Sequence, residues 1–288
     1  MRNWLAGLLL AAACCAPAAF AEESSLRVLF LNKSSGFQHS VITRQGDELS
    51  HAERIMKQVV EAAGGTVENT KDAKLVNAEN LKNYDVVVFY TTGDLTEPGF
   101  DRMTPMAETG PQELLDWISA GGGFVGFHCA SDTFHGEGDE VTPYIEMVGG
   151  EFAGHGPQFF GTVQVQDADH PTMAAIPAEW KIKDEWYYFK NLNTENNHVL
   201  ATLDPGPQVA KAEGDKHPAY AQGPYPIIWC RPYGEGRVFY NAMGHREEVW
   251  DEEIFQTHLA DALKWAAGND QANAEPQTET APEAAPTE

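Results

Sequence analysis

Residues 121–139 read GGGFVGFHCASDTFHGEGD. Phe124, Val125, Gly126 and Phe127 form an apolar run of strand length between glycines and an abruptly polar segment. Such a run marks a strand covered on both faces, because neither side is left polar for water. A sharp polar turn at the exit of a buried strand is also where many α/β enzymes hold a nucleophile. His128 and Cys129 both occupy that turn, and the chemistry depends on which of them is used.

Upstream, the same signal recurs at residues 26–31 (LRVLFL) and 85–90 (DVVVFY), with a weaker strand at 66–70. Leu49, Ala52, Ile55, Met56, Val59, Val60 and Ala63 fall at helical spacing, and Gly64-Gly65 stops that helix. A short helical segment lies near 78–82, and Pro111 opens another helix with Leu114, Leu115 and Ile118 on one face. Buried strands alternating with amphipathic helices predict a mostly parallel sheet with helices on both faces.

Downstream the pattern changes. Residues 160–165, 181–189 and 199–203 read as more exposed strands, and 226–231 with 237–241 flank a Pro-Tyr-Gly-Glu-Gly turn as a hairpin. A final helix over 252–267 buries Ile254, Phe255, Leu259, Ala262, Leu263 and Ala266. The prediction is one α/β domain over residues 22–268 with a β-rich C-terminal elaboration.

The ends are different in kind. Arg2, the apolar run 5–15 and Ala19-Phe20-Ala21 compose a signal peptide over residues 1–21, too short for an ordinary transmembrane helix. This predicts a periplasmic or secreted protein. A lipoprotein acylated at Cys14 or Cys15 is the alternative, although neither has leucine three residues upstream. Residues 269–288 carry five acids, no Lys or Arg and no large apolar side chain, and are predicted to be a disordered acidic tail. The net charge of −24 argues against nucleic acid or an anionic membrane as partner. It leaves a neutral small molecule such as a carbohydrate open, and it leaves the oligomeric state open. Cys129 and Cys230, alone beyond the leader, form no disulfide framework, although they can pair if their Cα atoms approach within about 7 Å.

In open parallel sheets, ligands bind beyond the carboxyl ends of the strands. His39 follows the first strand, His128 ends the fourth and His245 follows the last hairpin strand. These three imidazoles are candidates to line one cleft, shuttle protons or hold a divalent metal. No HExxH, GxGxxG or Walker pattern is present.

The ordered blocks SSGFQHS, GGGFVGFHCASDTF, VGGEFAGHGP, DADHP, KDEWYYF and PIIWCRPYGEGRVFYNAMGH resemble the ThuA-like (trehalose-utilisation) family across nearly the whole mature chain. The resemblance implies a flavodoxin-like three-layer sandwich similar to class I glutamine amidotransferases. It also implies a role in carbohydrate metabolism connected with sugar uptake and sugar oxidation. Amidotransferases place their cysteine directly after the strand, and here His128 holds that position. Cys129 comes one residue late, which aims its sulfur to the other side. A cysteine-dependent glutaminase is therefore disfavoured, and Cys129 reads as a small buried residue.

His128 is then a catalytic or metal-ligating candidate together with His39, and His245 completes the imidazole set. Asp132 either orients an imidazole or contacts substrate, or caps its own turn. His155, in a glycine-bordered turn, is a candidate for substrate or metal contact, or makes a loop hydrogen bond. His135 is expected to be a solvent-exposed loop residue, His170 a turn residue before Pro171 and His258 a core residue. His51, His198 and His217 have no supporting context. In Asp184-Glu185-Trp186-Tyr187, strand alternation lets one carboxylate enter the cleft, and Glu185 is favoured as catalytic. Trp186, Tyr187 and Arg246 are assigned to substrate, since aromatic faces pack against the C–H surfaces of pyranose rings. The functional expectation is a lyase, isomerase or hydrolase acting on a sugar or 3-keto glycoside by histidine acid–base or metal-assisted chemistry. The alternative is a non-catalytic sugar-binding module on the same scaffold.

Overall fold

Every side chain of Val86–Phe89 (β3) and Gly123–Phe127 (β4) is buried, as are four of the five in Arg27–Leu31 (β1). The computed structural model describes residues 25–138, 140–207, 209, 225–269 and 274. The predicted leader, His217 and nearly all of the predicted acidic tail lie outside them. With Thr66–Thr70 (β2), these strands run parallel in the order β2-β1-β3-β4, and Gly236–Asn241 (β11) adds in parallel beside β4. That 2-1-3-4-5 order is the flavodoxin-like doubly wound arrangement. β4 is central, flanked by β3 and β11, which is why its run is apolar throughout.

The helices form two groups on the sheet. His51–Ala62 (α1) packs with Glu247–Asp251 (α5) and Glu253–Ala266 (α6), while Ala78–Leu81 (α2), Gly110–Ser119 (α3) and Pro143–Val148 (α4) pack among themselves. The result is the expected three-layer sandwich. α1 starts at a capping box in which Ser50 and Glu53 satisfy each other's backbone N–H groups. Its buried stripe of Ala52, Ile55, Met56, Val59 and Val60 is the one predicted from spacing.

Beyond β11 the sheet turns antiparallel through Tyr225–Tyr233 (β10), His198–Asp204 (β9), Phe159–Val165 (β6) and Glu179–Asp184 (β7), giving nine strands. Glu151–His155 (β5) and Tyr187–Lys190 (β8) form a separate two-stranded antiparallel sheet. This corrects the single strand expected over 181–189. The chain breaks at Glu185-Trp186 because the Trp186 indole drops into the core, where Nε1 donates to the Phe159 carbonyl at 3.0 Å. A Cβ on Gly161 would lie 3.1 Å from that indole, so the glycine makes the space. β5, α4 and α5 were not anticipated. Cys129 and Cys230 are both buried and free. No helix among the described residues is long and apolar enough to cross a membrane.

Candidate active site and metal-ligating cluster

The chain leaves β4 through a 3-10 turn, His128–Asp132, and His128 enters it with φ of 44°. A left-handed backbone at a non-glycine residue costs on the order of 1 kcal/mol and persists only where its surroundings hold it. Here the His128 carbonyl accepts from the Tyr240 and Ser131 hydroxyls, and Tyr144 donates to the Ala130 carbonyl. The elbow therefore belongs to His128, which is 0% exposed. Its Nδ1 lies 2.8 Å from the Ala242 carbonyl. A carbonyl can only accept, so Nδ1 carries a proton, and in the neutral ring Nε2 keeps a free electron pair.

That Nε2 faces His245 Nδ1 at 3.3 Å and Glu185 Oε2 at 3.5 Å, and His245 Nδ1 lies 3.0 Å from the same carboxylate oxygen. His39, at the mouth of the 3-10 turn Ser40–Ile42, sets its ring edge-on to both, with centroids 5.1 Å away in each case. One ligand atom from each of His39, His128, Glu185 and His245 can be chosen so that all lie within 4.8 Å of one another. Bonds of about 2.0–2.1 Å to a tetrahedral ion put ligand atoms about 3.3 Å apart, close to the separations among His128, His245 and Glu185. Three imidazoles and a carboxylate suit Zn²⁺, Mn²⁺, Fe²⁺, Co²⁺ or Ni²⁺, and the buried, partnerless His39 Nδ1 shows one ring not spent on protein hydrogen bonds. The residues present fit a divalent metal.

Electrostatics agree with that fit. Burial, reinforced by His128 and His245, lowers the His39 pKa well below its ordinary 6.5, so the ring is neutral. For Glu185, burial pushes the pKa up, but hydrogen bonding from the facing imidazole side, His245 Nδ1 at 3.0 Å foremost in distance, outweighs it and holds the carboxyl well below its usual range.

The two adjacent acids divide the work. Asp184, 0% exposed, accepts the Gly244 N–H at 2.7 Å and the Arg246 N–H at 3.2 Å, which grips the loop on either side of His245. Tyr90 and Trp250 donate to the Gly244 carbonyl at 3.0 and 2.8 Å, and Gly244 itself has φ of 112°, open to glycine. Glu185, the next residue, enters the cluster.

Around the cluster, Tyr187 lies over the His128 ring at 4.0 Å, and Phe152 packs on Tyr187 at 4.3 Å. His155 ends β5; its Nδ1 lies 2.9 Å from the Gly156 carbonyl, the expected loop hydrogen bond, and 3.2 Å from Glu185 Oε1. Arg246 lines a cleft of about 330 Å³ with Ser40, Gln158, His245, Glu247 and Glu248, its guanidinium paired to Gln158 and Glu248. Two assignments need correction. Trp186 is 0% exposed with its N–H satisfied, so it supports the site from below and cannot meet a substrate. Asp132 does orient an imidazole, but it is that of His135 and not one of the cluster, and the other His135 nitrogen meets buried Glu151 at 2.6 Å. His135 is accordingly exposed, as expected of a loop residue, but both of its ring nitrogens are paired. His170 bonds Thr172 at the predicted turn, and His258 is in the core, donating to the Thr172 carbonyl. His198 pairs with Asp167 and His51 with Asp251. A larger cavity, about 510 Å³, adjoins His135, Phe134, Tyr144 and Leu115, but its one imidazole has both nitrogens occupied.

The model of the ThuA family, described as trehalose utilisation, matches residues 27–266. The chain belongs to the ThuA family. That membership connects it with carbohydrate use. Among solved structures, this ThuA-family chain is similar to a thua-like protein from Bacteroides uniformis, with 21% identity and a TM-score of 0.63 over 91% of this chain and 98% of that one. A second, from Parabacteroides merdae, shares 17% identity with a TM-score of 0.60 over 88% and 95%. A cytoplasmic protein from Salmonella typhimurium LT2 shares 15% identity with a TM-score of 0.54 over 84% and 99%. These likenesses establish the shared fold. No curated protein matches the sequence.

Proposed function

We propose that this ThuA-family chain is an exported enzyme of carbohydrate metabolism that acts on a sugar or an oxidised, 3-keto glycoside at the His39–His128–His245–Glu185 cluster. The observation that carries the reading is the convergence of three imidazoles and an ionised carboxylate on one point at the carboxyl edge of the sheet. Export rests on the leader composition alone.

A ketone on the sugar ring acidifies the neighbouring C–H, so proton removal leads to isomerisation or to elimination of the aglycone. A divalent ion held by His39, His128, His245 and Glu185 would supply Lewis-acid polarisation of a sugar oxygen. The chain supplies the rest. Ala242 keeps the His128 Nε2 electron pair free, Asp184 fixes His245, and Tyr187 with Phe152 walls the cluster against water. Without an ion, the imidazoles themselves would do the acid–base work: His128 or His39 takes the proton and His245 hydrogen-bonds the oxygen that gains charge.

Metal analysis of protein purified without a histidine tag separates these forms. A stoichiometric first-row metal, with activity lost to a chelator and restored by that metal, is expected. No stoichiometric metal and no gain on adding Zn, Mn, Fe, Ni or Co would leave acid–base chemistry alone. Oxidised and unoxidised disaccharides, screened with product detection, test the substrate class. Tight binding without turnover would return the binding-module reading.

A further inference from the structure

Phe37, Phe100, Val141 and Phe160 are large apolar side chains left exposed. Phe37 is the one whose ring packs against a cluster histidine, edge-on to His39 at 4.9 Å, while 65% of the residue faces solvent. It ends a continuous run of rings. Phe37 touches His39, His39 touches His128, His128 touches Tyr187, and Tyr187 touches Phe152. The ligand cluster lies within this run, so Phe37 is an apolar surface one ring removed from the groups that do chemistry.

The loop that presents Phe37 is pinned. The Ser35 and Gly36 N–H groups both donate to the Thr92 carbonyl, at 2.9 and 3.1 Å, and the Thr92 hydroxyl donates back to the Phe37 carbonyl at 2.9 Å. A Cβ on Gly36 would sit 3.3 Å from Thr92 Oγ1, so the two loops are in close contact. A rigidly presented aromatic ring loses little further freedom when a ligand packs on it.

We infer that Phe37 is the platform for a second pyranose ring, next to the one held at the cluster, and that the site takes glycosides of two rings in preference to monosaccharides. The inference rests on the carbohydrate reading above. Pyranose rings carry an axial C–H face that packs on an aromatic face, and Phe37, 65% exposed among the described residues, offers such a face beside its edge-on contact with His39.

The test is equilibrium binding of trehalose and its 3-keto form, against glucose and its 3-keto form, to the metal-loaded wild type, Phe37→Ala and Phe37→Trp. Wild type is expected to favour the disaccharide of each pair. Phe37→Ala should lose about tenfold in disaccharide affinity with monosaccharide affinity unchanged, and Phe37→Trp should keep the preference. Equal disaccharide affinity in wild type and Phe37→Ala would overturn the platform while leaving the sugar site standing. Failure of wild type to bind any of the four sugars would overturn both.

Discussion

His128 and His135 belong to the same segment after β4, yet they sit in constellations built in opposite ways. At His135 every electron pair and proton is spent. Nε2 meets Asp132 at 2.5 Å, Nδ1 meets Glu151 at 2.6 Å, and Glu151 also accepts from Lys190 and Asn191. At His128 one nitrogen is spent on the Ala242 carbonyl, and the other faces a second imidazole and a carboxylate. The first arrangement neutralises charge pair by pair and has nothing left for a ligand. The second gathers electron pairs with too few protons to join them, which is the condition a cation or an acidic C–H relieves. Unspent electron pairs, and not the number of titratable groups, separate the two.

The largest effect should come from breaking the unspent set. His128→Ala is expected to lower turnover on the oxidised disaccharide by about a hundredfold or more and to abolish stoichiometric metal. His135→Ala, seven residues on, should keep metal content and most turnover. Steady-state kinetics paired with metal analysis on both variants decides it. Equal losses in the two would mean that the His135 constellation is part of the chemistry and that the contrast is wrong.

The parallel half of the molecule was legible because a strand covered on both faces must be apolar throughout, and its helices show their buried stripes at 3.6-residue spacing. His39, His128 and His245 were legible because β1, β4 and β11 run parallel, with β3 between the first two, and so end at one edge of the sheet. Glu185 was reached through an alternation argument that the chain does not obey. The break after Asp184 is caused by Trp186 bonding to Phe159, a contact across 27 residues that no local pattern contains. Asp184 has no role that its sequence neighbours reveal, because its partners are N–H groups 60 and 62 residues away. β5 hid because Gly154 interrupts it and its pairing with β8 shifts register there. His135 is exposed as its loop position implies, and only its pairing is hidden, because its partner Glu151 lies on that same unrecognised strand.

The spent constellation should show itself in stability. The His135 pKa is raised, by Asp132 foremost against burial and with help from Glu151, so its contribution is fully present below the ordinary 6.5 and is lost as pH climbs through the folded value. Burial raises the Glu151 pKa, but His135, Lys190 and Asn191 together lower it, so its contribution is present above the ordinary 4.5 and is lost as pH falls through the folded value. Wild type should therefore exceed His135→Ala by less than about 1 kcal/mol between these two limits, because solvent screens the exposed imidazole, with the gap closing on either side. Denaturant unfolding of both proteins from pH 3 to 9 measures it. A gap that does not vary with pH would show that His135 acts by packing alone.

The smallest effect is expected at Cys129, and it bears on the same distinction. Its thiol is fully buried, and burial, with Asp132 adding to it, pushes the pKa well above the ordinary 9. A thiol kept protonated is a poor nucleophile. It is also among the residues packed in the core beside Ala130 and Phe127. Cys129→Ala removes one sulfur from a packed site and should cost about 1 kcal/mol of stability, with turnover and metal content within about twofold of wild type. Cys129→Ser is the more demanding variant, because it puts a hydroxyl in the same place. If Cys129→Ala folds, binds metal and is inactive, the elbow works through sulfur after all, and the unspent pair on His128 would then be the base beside it.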